Sequence, residues 1–334
     1  MSRHSPGVPL EASSALIGGM PVFGGGGGIP LTFGTVYFVD SNNGNDSFDG
    51  LTMDTAFATI SKAYSMVTTN NHDVIALSAN SAHALTNTSG TAPLKVTKNR
   101  VHFVGLGGGS RYYGQRTRIT MGVTTGTTTC ILENTGVGNT FTNIKFDSSD
   151  TLSTSIYAVV EAGEYAQYTN CEFYKSTDLD QTGAAEVVCN GDSAYFLNCT
   201  FGSNANAIVG AIIRPCVLLT KGIVTGKVSR DVTFENCMFW RKFGDVANRF
   251  VYGANATDVE RMMLFKSCVF WGAKLSTAVP DQNVALGATQ TEGDILLWNC
   301  SSIRAATAMS TTTGVFVDSP VPAAATSGIS LQAS

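Results

Sequence analysis

Charge is what this chain of 334 residues has least of: Asp, Glu, Lys and Arg make up 14% of it, and 21 basic against 25 acidic residues give a formal net charge of −4. The basic residues are scattered, with no arginine-rich run and no basic stripe interleaved with aromatics, which excludes an ordinary nucleic-acid surface. No apolar run approaches the roughly 18–20 residues of a membrane span, and the N-terminal "MSRHSPGVPLEASSALIGG" has no long apolar stretch of signal-peptide type. The expectation is a protein made and folded in the cytoplasm, with no membrane or nucleic-acid partner. The eight cysteines (130, 171, 189, 199, 216, 237, 268 and 300) form no CxxC pair and do not stand at zinc-finger spacing with the four histidines. Without an oxidising compartment or a small core to staple, they read as buried free thiols. Gly, Thr, Ser and Asn take the places that Lys and Glu fill in helical proteins, a palette of strands and turns.

What is present is a repeat. The hexad "YTNCEF" (168–173) returns as "FLNCTF" (196–201), "FENCMF" (234–239) and "FKSCVF" (265–270), flanked by "FTNIKF" (141–146) and "LWNCSS" (297–302). Its fourth position falls at Ile144, Cys171, Cys199, Cys237, Cys268 and Cys300, with steps of 27, 28, 38, 31 and 32 residues. Such a period marks a solenoid, whose units bury their apolar faces only by stacking. Apolar positions two apart, interrupted by Asn, describe a strand before and after a bend.

The fold this predicts is all-β, a right-handed parallel β-helix in which each position meets its own kind one coil away. Phe173, Phe201, Phe239 and Phe270 should stack. Cys171, Cys199, Cys237, Cys268 and Cys300 should line a narrow interior. Asn143, Asn170, Asn198, Asn236 and Asn299 should occupy the bend in left-handed backbone, linked amide to amide. Ser267 interrupts that ladder once. "DVIALSA" (73–79) and "VHFVGLGGG" (101–109) read as strands of the first coils, and "DTAFATISKAYSMV" (54–67) as a short amphipathic helix capping the N-terminal end. The chain divides into an extended Gly/Pro-rich arm (1–34), the β-helix (35–318) and a C-terminal tail (319–334).

The segment "YFVDSNNGNDSFDGLTMDTAFATISKAY" (37–64) resembles the opening of many pectate-lyase-like β-helix proteins, with Ala56-Phe57 where those usually place Pro-Phe. The stretch from "GGMPVFGGGGGIPLTF" to "VHFVGLGGGSR", and the similarity over roughly residues 18–175, resembles a group of tailed-bacteriophage proteins encoded among virion genes. That resemblance implies a virion structural component on the outer surface of the capsid, a decoration or cement protein bound to the major capsid protein or other virion proteins. It names no catalytic residue.

From the residues themselves, no catalytic, cofactor or metal site is expected. Asp40, Asp46 and Asp49 could be a calcium loop or a hydrogen-bonded turn, and the spacing is not that of an EF-hand. Glu161 with Glu164, Asp178 with Asp180, and Asp231 with Glu235 place acids close in sequence, as a glycosidase would need, but none repeats on adjacent coils. In the arm, Pro21, Val22, Phe23, Ile29, Pro30 and Leu31 flank five glycines and can lie as extended backbone on a partner or fold back along the solenoid. Closed symmetry predicts a homo-oligomer, a trimer being one arrangement. The rival reading is a tailspike-like protein that binds or depolymerises polysaccharide, with Trp240, Trp271 and Trp298 stacking on sugars; a third is a tail or baseplate component.

Overall fold

The structure is a computed structural model that describes residues 16–17, 20–21, 34–79, 82–85, 94–107, 117–122, 129–148, 156–175, 183–208, 213–243, 249–274, 282–288, 291–303 and 309–318. Within these, strands follow one another in a fixed rotation. Thr140–Thr142, Lys145–Ser148 and Tyr157–Glu161 make one coil, and Gln167–Thr169, Glu172–Lys175 and Ala185–Cys189 the next. Each strand pairs in parallel with its counterpart one coil away, giving sheets of eleven (sheet 1), eight (sheet 2) and seven strands (sheet 3). The chain is a right-handed parallel β-helix. The arm contributes one antiparallel pair, Leu16–Ile17 with Met20–Pro21.

Register carries the hexads into line. Thr142, Thr169, Leu197, Glu235, Lys266 and Trp298 pair in turn on sheet 1, and Lys145, Glu172, Thr200, Met238, Val269 and Ser301 on sheet 2. The bend between the two sheets is one residue in left-handed backbone, with φ of 51–57° at Asn143, Asn170, Asn198, Asn236, Ser267 and Asn299. Asn tolerates that conformation because its short amide bonds locally. Asn170 Nδ2 donates to Asn143 Oδ1 (3.4 Å), and Asn299 Nδ2 to Ser267 Oγ (3.2 Å), so at the one interruption the hydroxyl takes the place of an amide acceptor.

Behind the bend the thiols do more than fill space. Cys171, Cys199, Cys237, Cys268 and Cys300 each donate S–H to the carbonyl of the first hexad residue one coil earlier, Phe141, Tyr168, Phe196, Phe234 and Phe265, at 3.3–3.4 Å. The backbone N–H groups of Asn143, Asn170, Asn198 and Asn236 point the other way, to carbonyls of the following coil. Each bend is therefore clasped from both sides. All eight cysteines are buried free thiols.

Two aromatic columns fill the interior. On sheet 1, Phe103, Phe141, Tyr168, Phe196, Phe234 and Phe265 stack with centroids 4.6–5.1 Å apart. On sheet 2, Phe146, Phe173, Phe201, Phe239 and Phe270 stack at 4.9–5.4 Å. The columns meet edge to face, for example Phe201 against Phe234 at 5.7 Å, a favourable quadrupole arrangement.

The N-terminal end is closed by α1 (Ile60–Met66), shorter than the 54–67 read from the apolar spacing. The reason is local. The Asp46 carboxylate accepts from Ala58 N and Thr59 N, holding both outside the helix, and Thr59 serves as N-cap with its hydroxyl accepting from Lys62 N. Phe57 instead bridges to Val39 and is fully buried. Lys98 fastens the other end of α1, Nζ donating to Tyr64 O (2.8 Å) and Val67 O (2.7 Å), while Tyr64 Oη accepts from Thr97 N and Lys98 N. Lys98→Met is expected to lower the unfolding free energy by about 1–2 kcal/mol, seen as a lower urea midpoint at unchanged slope.

Candidate binding groove

The outward side of sheet 3 is not a plain solvated surface. Val160, Val188 and Leu218 stand in register there and form a second apolar cluster with Tyr157, Ala162 and Val224. Tyr252, paired with Leu218, continues the row, and beside it opens a cavity of about 540 Å³ lined by Ile213, Pro215, Leu218, Thr220, Tyr252, Asn255 and Asp258. Gly287 makes room for the tyrosine, since a Cβ there would fall 2.7 Å from its hydroxyl oxygen. Asp258, 1% exposed, spends its oxygens on the wall: Oδ1 accepts from Lys221 N (3.1 Å) and Oδ2 from Asn255 N (2.7 Å). The groove offers an apolar floor and one phenol, with Asn255 Nδ2 donating to both Asp258 oxygens (3.2 Å) at its wall, the equipment for binding a ligand.

None of the acids singled out in the sequence lines this groove. Glu161 is fully buried, its Oε1 accepting from Gly163 N (2.7 Å) and its Oε2 from Tyr168 Oη (2.5 Å), with Asn134 Nδ2 donating to both oxygens. Burial pushes its pKa up to about 7, against the pull of those donors and of Lys227. Tyr168, the one tyrosine in the sheet 1 column, carries its hydroxyl for this partner. Glu164 pairs at the surface with Lys227 (3.0 Å), Asp231 with Arg261 (2.6 Å), and Glu235 with Lys266 (2.9 Å). The Lys266 ammonium and the Tyr195 hydroxyl hold Glu235 below the usual carboxylate range. Asp178 and Asp180 lie outside the described residues.

The aspartates of the first turn are tied up in building it. Asp40 accepts from Asn42 N and Asn43 N, Asp46 from Ala58 N, Thr59 N and the Thr59 hydroxyl, and Asp49 from Leu51 N and the Thr55 hydroxyl. Burial alone would raise the pKa of Asp40, but the Asn42 and Asn43 donors bring it below its ordinary value. Among the described residues no group of three or more His, Cys, Asp and Glu could hold a metal ion. Trp240 and Trp271 do lie on the outer side of sheet 2, where they stack on each other at 4.9 Å, each giving one ring face to the other. Trp298 is exposed, with Lys266 Nζ 5.6 Å from its ring. Of the arm residues, Pro21 lies in the short antiparallel pair; Val22, Phe23, Ile29, Pro30 and Leu31 lie outside the described residues.

Three arrangements escaped the reading of the sequence. Arg241, buried, donates through Nη2 to Glu186 and through Nη1 to Arg214 O (2.5 Å), an ionic knot inside the solenoid wall. His102 bonds Thr140 Oγ1 (2.8 Å) and His72 (3.1 Å), and burial followed by the nearby His72 drops its pKa to about 4. Gly136, Gly163 and Gly191 stack at the turn between sheets 3 and 1. A Cβ at Gly163 or Gly191 would fall 2.3 Å from the glycine carbonyl one coil earlier. Their steps of 27 and 28 residues match the hexads, a signal that was there to be read.

The chain matches no protein-family model and no curated protein. Among solved structures it is similar to a rhamnogalacturonan lyase, with TM-score 0.57 and 13% identity over 80% of this chain and 68% of that one. It is also similar to a pectin methylesterase in complex with a hexasaccharide (0.51, 12%, 81% and 79%) and to the pectate lyase Pel9A (0.50, 13%, 86% and 79%). At these identities the likeness defines a class by fold, the parallel β-helix, and goes no further.

Proposed function

We propose that the chain is a non-catalytic structural component of a tailed-phage virion, made in the host cytoplasm and displayed on the outer surface of the capsid as a decoration or cement protein. The observation that carries this reading is that Asp258 and the acid pairs singled out in the sequence, where described, are committed to structure: Asp258 to its own turn, Glu161 to the core, and Glu164, Asp231 and Glu235 to ion pairs with Lys227, Arg261 and Lys266. The resemblance of residues 18–175 to phage proteins supplies the virion setting. A stiff solenoid with an N-terminal arm suits attachment to capsid protein, several arms on adjacent capsomers gaining strength by multivalency. The arm residues Pro21, Val22, Phe23, Ile29, Pro30 and Leu31 are the proposed contact to the major capsid protein, with copies arranged as a homo-oligomer.

Antibody labelling of particles in the electron microscope tests the placement: label over the capsid shell is expected, and label confined to tail or baseplate would overturn it. Purified protein incubated with host polysaccharide should release neither reducing ends nor unsaturated products; either one would establish an enzyme. The groove beside Tyr252 favours a second reading, glycan binding without cleavage. On that reading Tyr252→Ala should weaken oligosaccharide binding by about tenfold or more in calorimetry, the loss of one stacked ring. Oligosaccharide that binds wild type and variant equally would rule the groove out.

A further inference from the structure

On the outer side of sheet 2 a row of rings has one rung missing. Phe173 pairs with Phe201 on the inner face, so the residues that follow them, Tyr174 and Gly202, stand side by side on the outer one. Gly202 pairs in turn with Trp240, and Trp240 with Trp271. The row therefore reads Tyr174, Gly202, Trp240, Trp271, with the three rings half-buried. Each ring that flanks the glycine is already covered on its far face. Lys145, one coil earlier, holds its Nζ 4.7 Å from the centre of the Tyr174 ring, and Trp271, one coil later, stacks on Trp240 at 4.9 Å. The faces that remain look toward each other across Gly202. That position has to be glycine: its φ is 88°, and a Cβ there would fall 2.3 Å from the Trp240 carbonyl oxygen. Two coil steps separate the facing rings by about 9.6 Å, the space that one further ring stacked on both would fill. Immediately beyond, the strand register shifts between Ser203 and Ala207, a bulge of the kind that accompanies binding sites.

We infer that this slot takes a pyranose ring of a neutral glycan, held between Tyr174 and Trp240. Three observations select that ligand. Trp240 Nε1 is buried and has no hydrogen-bond partner among the described residues, so the occupant must bring an acceptor. A sugar hydroxyl supplies one while the C–H faces of the ring lie on the aromatics, whereas a phenyl side chain would leave the indole N–H unmet. Lys145, the cation beside the slot, is already shared between Glu172 (3.2 Å) and Asp147 (3.6 Å), which leaves it poorly placed to receive the carboxylate of an acidic sugar. A nucleobase would bring its phosphates to a chain of net charge −4. The slot lies on a different sheet from the groove beside Tyr252, and the inference depends neither on that groove nor on where the protein sits on a particle.

Calorimetric titration of the full-length chain with cellohexaose, maltohexaose and chitohexaose tests it. At least one should bind with a dissociation constant below about 1 mM. Tyr174→Ala should weaken that binding about tenfold or more, and Tyr174→Phe, which keeps the ring, should retain it. Trp240→Phe keeps a stacking face but loses Nε1, and should weaken binding about two- to tenfold. Tyr252→Ala and Trp298→Ala should leave it unchanged, and circular dichroism would verify that every variant is folded. Failure of all three hexasaccharides to bind at about 10 mM overturns the inference. So does binding that survives Tyr174→Ala, and loss in Tyr252→Ala alone would move the sugar to the other groove.

Discussion

Phe201→Ala is expected to cost about 3–5 kcal/mol of unfolding free energy, a large share of the roughly 5–15 kcal/mol of an ordinary domain. Phe201 is fully buried, stacked at 4.9 Å on both Phe173 and Phe239, and edge-on to Phe196 and Phe234 at 5.6 and 5.7 Å. Removing the ring deletes four aromatic contacts and leaves a cavity that the neighbours, fixed in register by parallel strands, cannot collapse to fill. In a stack of repeats each coil contacts only those beside it, so the damage sits in the middle of the stack. Urea unfolding should show a lower midpoint and a shallower slope, as the coils before and after lose their coupling. Phe201→Leu, which keeps most of the volume, should cost about 1–2 kcal/mol and leave the slope unchanged. A loss for Phe201→Ala below about 1 kcal/mol would mean that the columns contribute shape but little cohesion.

Two buried titrating groups should pull stability in opposite directions with pH. Glu161 has a folded pKa of about 7 against an ordinary 4.5, so the folded state holds its proton longer than the unfolded chain. Its contribution is present below pH 4.5 and is lost as pH rises through 7, a fall of about 3 kcal/mol. His102, at about 4 against 6.5, behaves inversely: its contribution is present above pH 6.5 and is lost as pH falls through 4. Solvent screening at its rim reduces that loss to about 2 kcal/mol. Between pH 4.5 and 6.5 the two slopes oppose, and the unaltered protein should show a nearly flat profile. Glu161→Gln should leave stability rising with pH over that window, and His102→Asn should leave it falling. Urea midpoints at each pH unit from 4 to 8 measure this. Parallel profiles for both variants would show that neither group titrates as its surroundings dictate.

The fold was legible because the constraint repeats. A bend that needs left-handed backbone selects Asn in coil after coil, and a narrow interior selects Cys, so six weak signals add. The helix was read too long because apolar spacing alone does not register the Asp46 carboxylate that holds Ala58 and Thr59 outside it. The buried polar contacts were illegible for the opposite reason: each occurs once. Arg241 and Glu186 stand 55 residues apart, with nothing in the intervening sequence to couple them. Glu161 sits beside Glu164 in the chain and reads as half of an acid pair, yet a strand ends at Glu161, and the turn that follows sends Glu164 to the surface. The groove beside Tyr252 depends on which residues of sheet 3 face outward, and short apolar runs such as "VLL" do not disclose that.

The directions of the bonds at the bends give the molecule an order of assembly. The five hexad thiols reach back to chain already synthesised, whereas the backbone N–H of each bend asparagine waits for chain still to come. A nascent polypeptide halted after such a bend would have the sulfhydryl of that bend engaged and its main-chain donor still open, ready to receive the next turn.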